Sequence, residues 1–472
     1  MTPAEFRTFG HQLVDLIADY RETVAARPVR ADTTPGDTRA QLPSAPPNAA
    51  EPFERVLADV ERVILPALTH WQHPRFCGYF PANSALPAVL ADFLSSGLGV
   101  LGLNWQACPA LTELEEVCCD WVRQAVGLSA AWSGVIHDTA STASLVALLC
   151  ARERTTNFAL ARGGLQGEPA ALTVYASQQA HSSVEKAALL AGFGRDNVRA
   201  VPTDSAFALD PRALDELVRA DRAAGKRPCA VVATTGTTAS TALDPVGAVA
   251  EVAERQSLWL HVDAAMAGSA MLLPECRHMW DGIERADSLV LNPHKWLGST
   301  FDNSLYFVRD PEHLVRVMST SPSYLCTAAD GRATNYRDWG IPLGRRFRAL
   351  KLWFLFRSEG VSGLQARLRR DIANAAWLAE QVRATPDWKV VAPVPLQTVC
   401  VRHEPPGLSG DALDAHTRAW AERLNASGTA YVTPAVLAGR WMVRVSIGSL
   451  TTERADVEAV WHAMRAAAES AL

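Results

Sequence analysis

The sequence has few lysines, no excess of one charge and no uninterrupted apolar run long enough to cross a membrane. The 45 Lys and Arg residues and 50 Asp and Glu residues leave a net charge of −5, which lacks the basic excess typical of nucleic-acid or anionic-membrane binding. The most apolar stretch, residues 86–103, is interrupted by Pro87 and Asp92. It therefore does not predict a membrane span. The chain contains only five lysines: Lys186, Lys226, Lys295, Lys351 and Lys389.

The cysteines do not have the spacing of a disulfide framework or a zinc site. There are nine of them, an odd number, with no C-x-x-C pair and with Cys118 adjacent to Cys119. Glu5 and Asp15 interrupt the N-terminal apolar residues, so no secretory signal is visible. We therefore expect a protein of the reducing cytoplasm.

Two short motifs resemble binding sites but stand in the wrong context. Residues 97–102 read G-x-G-x-x-G, yet the residues before them, 88–94, have a helical pattern. A dinucleotide fingerprint requires a strand there. His70 and His73 form an H-x-x-H without a third ligand, which does not favour a metal site.

The order of predicted elements indicates an α/β protein. Residues 3–24 and 53–64 have helical spacing of apolar residues and flank a proline-rich connector. Further on, short β-branched runs alternate with helix-length segments, which predicts a mostly parallel central sheet with helices on both faces. The predicted strands of this sheet are 172–176, 230–233, 258–262, 288–291 and 304–308.

The same pattern divides the chain into three parts. We expect an N-terminal helical dimerisation segment at 1–86, a large α/β domain at 87–350 and a small C-terminal α+β domain at 351–472. Two β runs, 389–391 and 441–447, belong to the last part. In the large domain, ligands should bind at the carboxyl ends of the parallel strands.

One lysine is placed for covalent chemistry. Lys295 follows the β run 288–291 directly, with Asn292, His294 and the bulky Trp296 around it. A lysine at a strand end can form a Schiff base with a carbonyl cofactor. Among the five lysines it alone has this position.

A carboxylate, a histidine and a hydroxyl-rich turn follow other predicted strands. Asp263 ends an apolar strand, and it could either pair with a protonated pyridine nitrogen or cap a helix. His181, after the run 172–176, could stack on an aromatic ring. The turn at Thr139 and Ser141 opens a helix whose free N–H groups favour a phosphate.

Together these segments resemble the group II pyridoxal phosphate decarboxylases, especially the aromatic L-amino acid decarboxylases, over nearly the whole chain. This family has the fold type I, transferase-like architecture of pyridoxal phosphate enzymes. The resemblance implies pyridoxal 5'-phosphate as cofactor. It is carried by His73-Pro74 with Tyr79-Phe80-Pro81, by Thr112-Glu113-Leu114-Glu115, by 179–185, by 260–265, by 292–296 and by Ile341-Pro342-Leu343-Gly344-Arg345-Arg346-Phe347-Arg348.

The resemblance also implies roles for individual residues. Lys295 would bind the cofactor as a Schiff base, Asp263 would pair with its pyridine nitrogen, and His181 would stack on its ring. Tyr324, in a lid at 318–335, would deliver the proton that replaces the carboxylate. Further cofactor-binding residues would be Thr139, Ala140, Thr238, Ala265, Asn292 and His294.

Substrate and partner are implied in the same way. The family is a homodimer whose N-terminal helices wrap the partner and whose active sites lie at the interface, and we expect neither a nucleic acid nor a membrane as partner. An aromatic substrate is expected, with an indole tolerated, and tryptophan, dopa, tyrosine and phenylalanine all stay open. The residues implied to line the substrate pocket are Trp71, Tyr79, Phe80, Leu103 and Gly344.

Three alternatives remain open at this point. An aldehyde synthase would couple decarboxylation to oxidative deamination, but Tyr324 and His181 favour simple decarboxylation, since relatives of that type carry other residues at these positions. A decarboxylase of a non-aromatic amino acid such as glutamate would need a dedicated cation in its pocket, and none is assigned. A catalytically silent binding protein would not need the full set of chemical groups.

Overall fold

The computed structural model describes residues 1–320, 325 and 327–470, and the chain divides into two compact units. The smaller unit comprises Met1–Pro81, Asn374–Val391 and Val399–Leu472. The larger unit comprises Ala82–Ala373 and Ala392–Thr398. Each unit is built on a sheet of its own.

The larger unit contains a seven-stranded sheet in the order β1-β7-β6-β5-β4-β2-β3. All neighbouring strands are parallel except β7, which is antiparallel to both β1 and β6. Its strands are β1 Ser133–His137, β2 Leu172–Ser177, β3 Val198–Val201, β4 Arg227–Thr234, β5 Trp259–Asp263, β6 Ser288–Leu291 and β7 Ser304–Val308. Its helices are α4 Leu86–Leu98, α5 Pro109–Ala125, α6 Ala140–Thr156, α7 Ser182–Leu190, α8 Pro211–Ala223, α9 Val246–Gln256 and α10 Pro311–Met318.

The central strands are buried along nearly their whole length. Every residue of β2, β5, β6 and β7 is buried, and so are all residues of β4 after Arg227. A strand covered on both faces reads as a continuous apolar run rather than an alternating one. This explains why the five β runs were visible in the sequence, and the predicted mostly parallel α/β sheet is confirmed.

The strand directions bring several chain turns to one edge of the sheet. Because β1 and β6 are both antiparallel to β7, they run parallel to each other and to β5, β4 and β2. The carboxyl ends of these five strands therefore share one edge. In such sheets ligands bind at this edge.

The smaller unit has a four-stranded sheet in the order β10-β11-β9-β8. A tryptophan cluster lies in its core, where Trp388 meets Trp420 and Trp461 with ring centroids 5.5 and 4.9 Å apart. Its strands are β8 Trp388–Val390, β9 Thr398–His403, β10 Thr433–Leu437 and β11 Arg440–Ser446. Its helices are α1 Pro3–Thr23, α2 Asp37–Ala40, α3 Phe53–Asp59, α12 Gly410–Ala426 and α13 Arg454–Glu469, and α11 Ala349–Ala384 begins in the larger unit and ends in the smaller one.

The predicted N-terminal helix is present as α1. Thr2 caps it, and the Glu5 carboxylate accepts the Thr2 backbone N–H at 2.6 Å, which completes a capping box. No residue of α1 is buried, and Phe6 is 50% exposed. Phe9 packs on the Phe53 ring at 4.8 Å, and Tyr20 packs on the His70 ring at 5.5 Å. Most of the apolar stripe of α1 therefore stays accessible in the single chain.

The G-x-G-x-x-G segment follows a helix, as the sequence predicted. Gly97 lies in the last turn of α4, and Gly99 has the left-handed conformation (φ 63°) of a helix C-cap. The segment therefore ends a helix instead of opening one. Across the described residues, no helix is both long and apolar enough to cross a membrane.

Candidate active site

The shared edge of the larger sheet gathers the polar residues that the sequence singled out. Thr139 and Ala140 follow β1, His181 follows β2, and Thr238 follows β4. Asp263 is the last residue of β5, and the segment 292–295 follows β6. The topology thus collects side chains from distant parts of the chain at one place.

Lys295 lies in a tight turn with a fixed backbone. The helical turn Pro293–Leu297 is broken at Lys295, whose φ of −93° and ψ of −110° are not helical. Its N–H donates to the Asn292 carbonyl at 3.0 Å, and its carbonyl accepts from Asn83 Nδ2 at 3.2 Å. Trp296 is fully buried, with its indole N–H 2.9 Å from Asp371 Oδ2. The backbone is thereby held while the Lys295 side chain stays half-buried.

Two other lysines are occupied by structural contacts. Lys351 is buried in α11, with its ammonium 3.1 Å from Asp92 Oδ2. Lys226 donates to Asn197 Oδ1 at 3.1 Å. Their positions also differ from that of Lys295, because Lys226 precedes β4 and Lys351 lies in α11, whereas Lys295 follows β6 at the shared edge.

Asp263 is a buried carboxylate that forms no ion pair with any described residue. It is 4% exposed, and its Oδ1 accepts the backbone N–H of Ala265 at 3.0 Å. A buried carboxylate without a cation is costly, and a protonated pyridine nitrogen would supply one. The alternative role as a helix N-cap does not apply, because the following 3₁₀ helix starts at Ala267 and its N-cap is Met266. The residue therefore fits a pyridoxal ring.

His181 is exposed and has a defined tautomer. It caps α7, and its Nδ1 accepts the Ser183 backbone N–H at 3.1 Å. The neutral ring therefore carries its proton on Nε2. Partial burial of the ring lowers the pKa of His181, the Asp263 carboxylate opposes this shift, and the Lys295 ammonium adds to it. The three side chains thus share one electrostatic environment, and we call His181, Asp263 and Lys295 the ring-side group.

Thr139, Asn292 and His294 form a second set, which we call the phosphate-side group. Asn292 Oδ1 accepts from Ser304 Oγ at 2.6 Å, and His294 Nδ1 accepts the Asn303 N–H at 3.0 Å. Burial lowers the pKa of His294 to about 4, so its ring is neutral at pH 7 with the proton on Nε2. Each side chain uses its own acceptor atom for a hydrogen bond within the protein. Its N–H group therefore points to a role as donor, which suits an anion.

The helix that follows β1 adds further donors to this group. Thr139 is the N-cap of α6, and its Oγ1 accepts the Thr142 N–H at 3.5 Å. Ala140 is the first residue of this 17-residue helix. Unpaired N–H groups and the helix dipole at such an N-terminus favour a phosphate.

Backbone hydrogen bonds join the strand ends that carry these groups. The Thr235 N–H donates to the Asp263 carbonyl at 2.9 Å, and the Asn292 N–H donates to the Ala265 carbonyl at 2.9 Å. Thr238 is half-buried in the turn between Thr235 and Ala242. The ends of β4, β5 and β6 are therefore held in register.

The residues predicted to line a substrate pocket fall into two sets. In the smaller unit, Trp71 stacks on Tyr79 at 5.4 Å, and the Arg444 guanidinium lies 4.7 Å from the Phe80 ring. In the larger unit, a Cβ built on Gly344 would lie 4.0 Å from Leu103 Cδ2. The structure thus places Trp71 beside Tyr79, and Leu103 beside Gly344. Tyr324 lies outside the described residues.

Sequence reasoning assigned no role to one buried ion pair beside this edge. Glu115 and Arg345 are paired at 2.5 Å, and both are almost completely buried. Both residues stood in motifs that carried the family resemblance, but a motif match does not reveal a partner far away in sequence. The available signal was helical spacing, which places Glu115 on the same face of α5 as Leu111, Cys118 and Val122.

Comparisons with known proteins agree with this geometry. The family model described as the pyridoxal-dependent decarboxylase conserved domain matches residues 35–404. An aromatic-L-amino-acid decarboxylase from Bos taurus is 40% identical, with 100% of this chain and 98% of the relative covered. A tryptophan decarboxylase from Camptotheca acuminata is also 40% identical, with 100% and 96% covered. A crystal structure of Oryza sativa TDC with PLP and tryptamine is 38% identical, with a TM-score of 0.96 and 100% and 99% of the two chains covered.

Proposed function

The chain belongs to the pyridoxal-dependent decarboxylase family, and from this premise we propose that it decarboxylates aromatic L-amino acids to arylalkylamines and carbon dioxide. The cofactor is pyridoxal 5'-phosphate. The observation that carries the cofactor chemistry is Asp263, a buried carboxylate without a cation partner among the described residues, at the same sheet edge as Lys295. The family model and the relatives at 40% identity support decarboxylation as the reaction type.

The ring-side group holds the reactive part of the cofactor. When bound, pyridoxal 5'-phosphate supplies an electron sink for the charge left on the α-carbon as carbon dioxide departs. Asp263 keeps the ring nitrogen protonated, which that sink requires. Lys295 holds the cofactor covalently until a substrate amine arrives, and His181 covers the ring with its Nε2–H available as a donor.

The phosphate-side group fixes the position of the cofactor. Asn292 and His294 offer N–H donors, and the N-terminus of α6 at Thr139 and Ala140 offers backbone N–H groups. Thr238 and Ala265 contact the cofactor near its ring. Tyr324, outside the described residues, is the proposed source of the proton for the α-carbon.

An aromatic substrate is supported by two observations. The relatives at 40% identity are named for aromatic amino acids and for tryptophan. Gly344 leaves room next to Leu103, where a larger side chain would narrow the space available to an indole. We therefore propose Trp71, Tyr79, Phe80, Leu103 and Gly344 as the residues that contact the substrate side chain.

We further propose a homodimer with active sites at its interface, located in the cytoplasm. Large apolar side chains are exposed on two helices, including Phe6 (50%) on α1 and Leu90 (52%) and Phe93 (49%) on α4. Burial of such side chains against a second copy would stabilise an assembly. Light scattering on the purified protein measures the assembly.

The cytoplasmic location is supported by the cysteines. All eight described cysteines are free thiols, which suits a reducing compartment.

Product analysis tests the proposed reaction. The purified, cofactor-loaded protein is incubated with L-tryptophan, dopa, tyrosine, phenylalanine and glutamate, and amine, aldehyde and hydrogen peroxide are measured together by mass spectrometry and peroxide assay. We expect amines from the aromatic substrates without stoichiometric peroxide, and no product from Lys295→Ala. Aldehyde with peroxide would instead identify an aldehyde synthase. Turnover of glutamate alone would contradict the aromatic pocket.

A further inference from the structure

The Glu115–Arg345 ion pair is the most deeply buried pair beside the site. Glu115 on α5 is 0% exposed and Arg345 is 5% exposed. The contact is bidentate, with Arg345 Nη1 2.9 Å from Oε2 and Nη2 2.5 Å from Oε1. The Tyr336 ring also lies 5.0 Å from the guanidinium carbon.

The pair binds both the N–H and the carbonyl of one residue of β1. Glu115 Oε1 accepts the Ile136 N–H at 2.8 Å, and Arg345 Nη2 donates to the Ile136 carbonyl at 2.7 Å. One residue of β1 is therefore held by both charges. Ile136 stands just before the turn that leads to Thr139 and the N-terminus of α6.

The backbone of Arg345 holds a second segment. Its carbonyl accepts the Gly102 N–H at 2.9 Å. This bond fixes Leu103, the next residue, against Gly344, the residue before Arg345, where a Cβ would come within 4.0 Å of Leu103 Cδ2. The ion pair thus connects the proposed phosphate-binding turn with two proposed substrate-side residues.

We propose that Glu115 and Arg345 are positioning residues that set the phosphate-binding turn and the Leu103–Gly344 wall relative to each other. The part of this inference that concerns Leu103 and Gly344 rests on the proposed function. The part that concerns the phosphate-binding turn rests only on the family and its cofactor. Neither residue needs to contact cofactor or substrate.

A purely stabilising role is the competing explanation. Burying two charges costs much of what their attraction returns, so a buried ion pair is a weak source of stability by itself. It does impose a defined geometry, because a bidentate guanidinium–carboxylate contact permits one relative orientation. The hydrogen bonds to Ile136 use that geometry to place a backbone segment.

The test compares Glu115→Gln with a matched pair far from the site. Asp221 on α8 also forms a bidentate contact, with Arg199 at 3.0 and 2.7 Å, and also accepts from a buried side chain, Tyr175. Asp221→Asn therefore removes a similar pair without touching the shared edge. For each variant, the cofactor Kd is measured by fluorescence titration of the apoprotein, the melting temperature by circular dichroism, and kcat and KM with tryptophan and phenylalanine.

We expect Glu115→Gln to raise the cofactor Kd by about tenfold or more, because small displacements of positioning groups have large effects on binding geometry. We also expect its tryptophan-to-phenylalanine ratio of kcat/KM to change. Asp221→Asn should lower the melting temperature. It should leave the cofactor Kd and the tryptophan-to-phenylalanine ratio of kcat/KM within about twofold of the parent.

Equal cofactor affinity in Glu115→Gln and the parent, together with a lowered melting temperature, would overturn the proposal in favour of a stabilising role. If Glu115→Gln does not fold, Arg345→Lys keeps the cation without the bidentate fork and gives the same comparison. A parent protein that binds cofactor but converts no aromatic amino acid would refute the proposed function, and the cofactor Kd would still decide the positioning role.

Discussion

The phosphate-side and ring-side groups lie at the same sheet edge but are held in opposite ways. Asn292 and His294 are tied by side-chain hydrogen bonds to Ser304 and to the Asn303 backbone. Asp263 forms no ion pair with the described residues, and Lys295 is half-buried. The two phosphate-side residues are held by neutral protein partners, whereas the Asp263 charge is not matched by a cation among the described residues.

This difference agrees with the role proposed for each group. A phosphate needs donors at set positions, which internal hydrogen bonds provide in advance. A protonated pyridine ring needs a carboxylate that no protein cation already neutralises. We therefore expect changes on the phosphate side to alter cofactor affinity and changes on the ring side to alter the rate of the loaded enzyme.

The largest effect is expected from Asp263→Asn. The amide keeps the shape and can still accept the Ala265 N–H, but it no longer holds a proton on the ring nitrogen. We expect kcat of the loaded enzyme to fall about 10²-fold or more, measured by amine release, with the cofactor still bound. Asp210→Asn, a half-buried N-cap of α8 where asparagine caps equally well, is the control. Unchanged kcat in Asp263→Asn would remove the distinction between the groups.

A smaller and different effect is expected from Asn292→Ala. This change removes an N–H donor to the phosphate and the bond to Ser304 at 2.6 Å. Loss of a hydrogen bond to a charged group predicts a cofactor Kd raised about tenfold, measured by titration of the apoprotein. At saturating cofactor, kcat should stay within about threefold of the parent, because an interaction that only holds the cofactor does not change the chemical step. A large fall in kcat with unchanged Kd would contradict this assignment.

Acid should destabilise the protein through its buried histidines. Burial lowers the pKa of His73, His137, His261 and His294 to about 4. Below pH 6.5 the unfolded chain takes up protons that the native rings do not bind until about pH 4, so stability is present above 6.5 and is lost as the pH falls. Each such histidine contributes about 1.4 kcal/mol per pH unit in this window. Urea unfolding at pH 7.5, 6.0 and 5.0 measures the loss, and a midpoint that rises on acidification would contradict it.

The smallest effect is expected on the substrate side, with Gly344→Ala. The added Cβ would meet Leu103 Cδ2 at 4.0 Å, an ordinary contact, so the fold should not change. We expect kcat/KM for tryptophan to fall by up to about tenfold relative to phenylalanine, because one methyl group in a pocket discriminates weakly. Gly363→Ala in α11, which has room for a Cβ, is the control. An unchanged ratio would place Gly344 outside the substrate pocket.

The sequence predicted the parts of the site that depend on local pattern. Lys295 and Asp263 each follow an apolar run, so the strand-end rule located them. In the larger sheet two strands, β1 and β3, were not predicted. Only the last residue of β3 is buried, and β1 owes its sheet position to antiparallel pairing with the distant β7.

Contacts between distant segments could not be predicted in this way. The partners of Asn292 and His294 lie beyond the turn that follows Lys295, and Glu115 meets Arg345 across 230 positions of the chain. Neither the composition nor the spacing of apolar residues indicates which distant residues pair with each other. The roles assigned to Tyr324 and to the residues around the substrate stay predictions.

Locating the covalently bound cofactor tests the account most directly. The holoenzyme is reduced with borohydride, digested and examined by mass spectrometry for a pyridoxyl group on each of the five lysines. The account predicts modification of the peptide that contains Lys295 and of no other. Modification of Lys186, Lys226, Lys351 or Lys389 instead, or of none of the five, would contradict the proposed site.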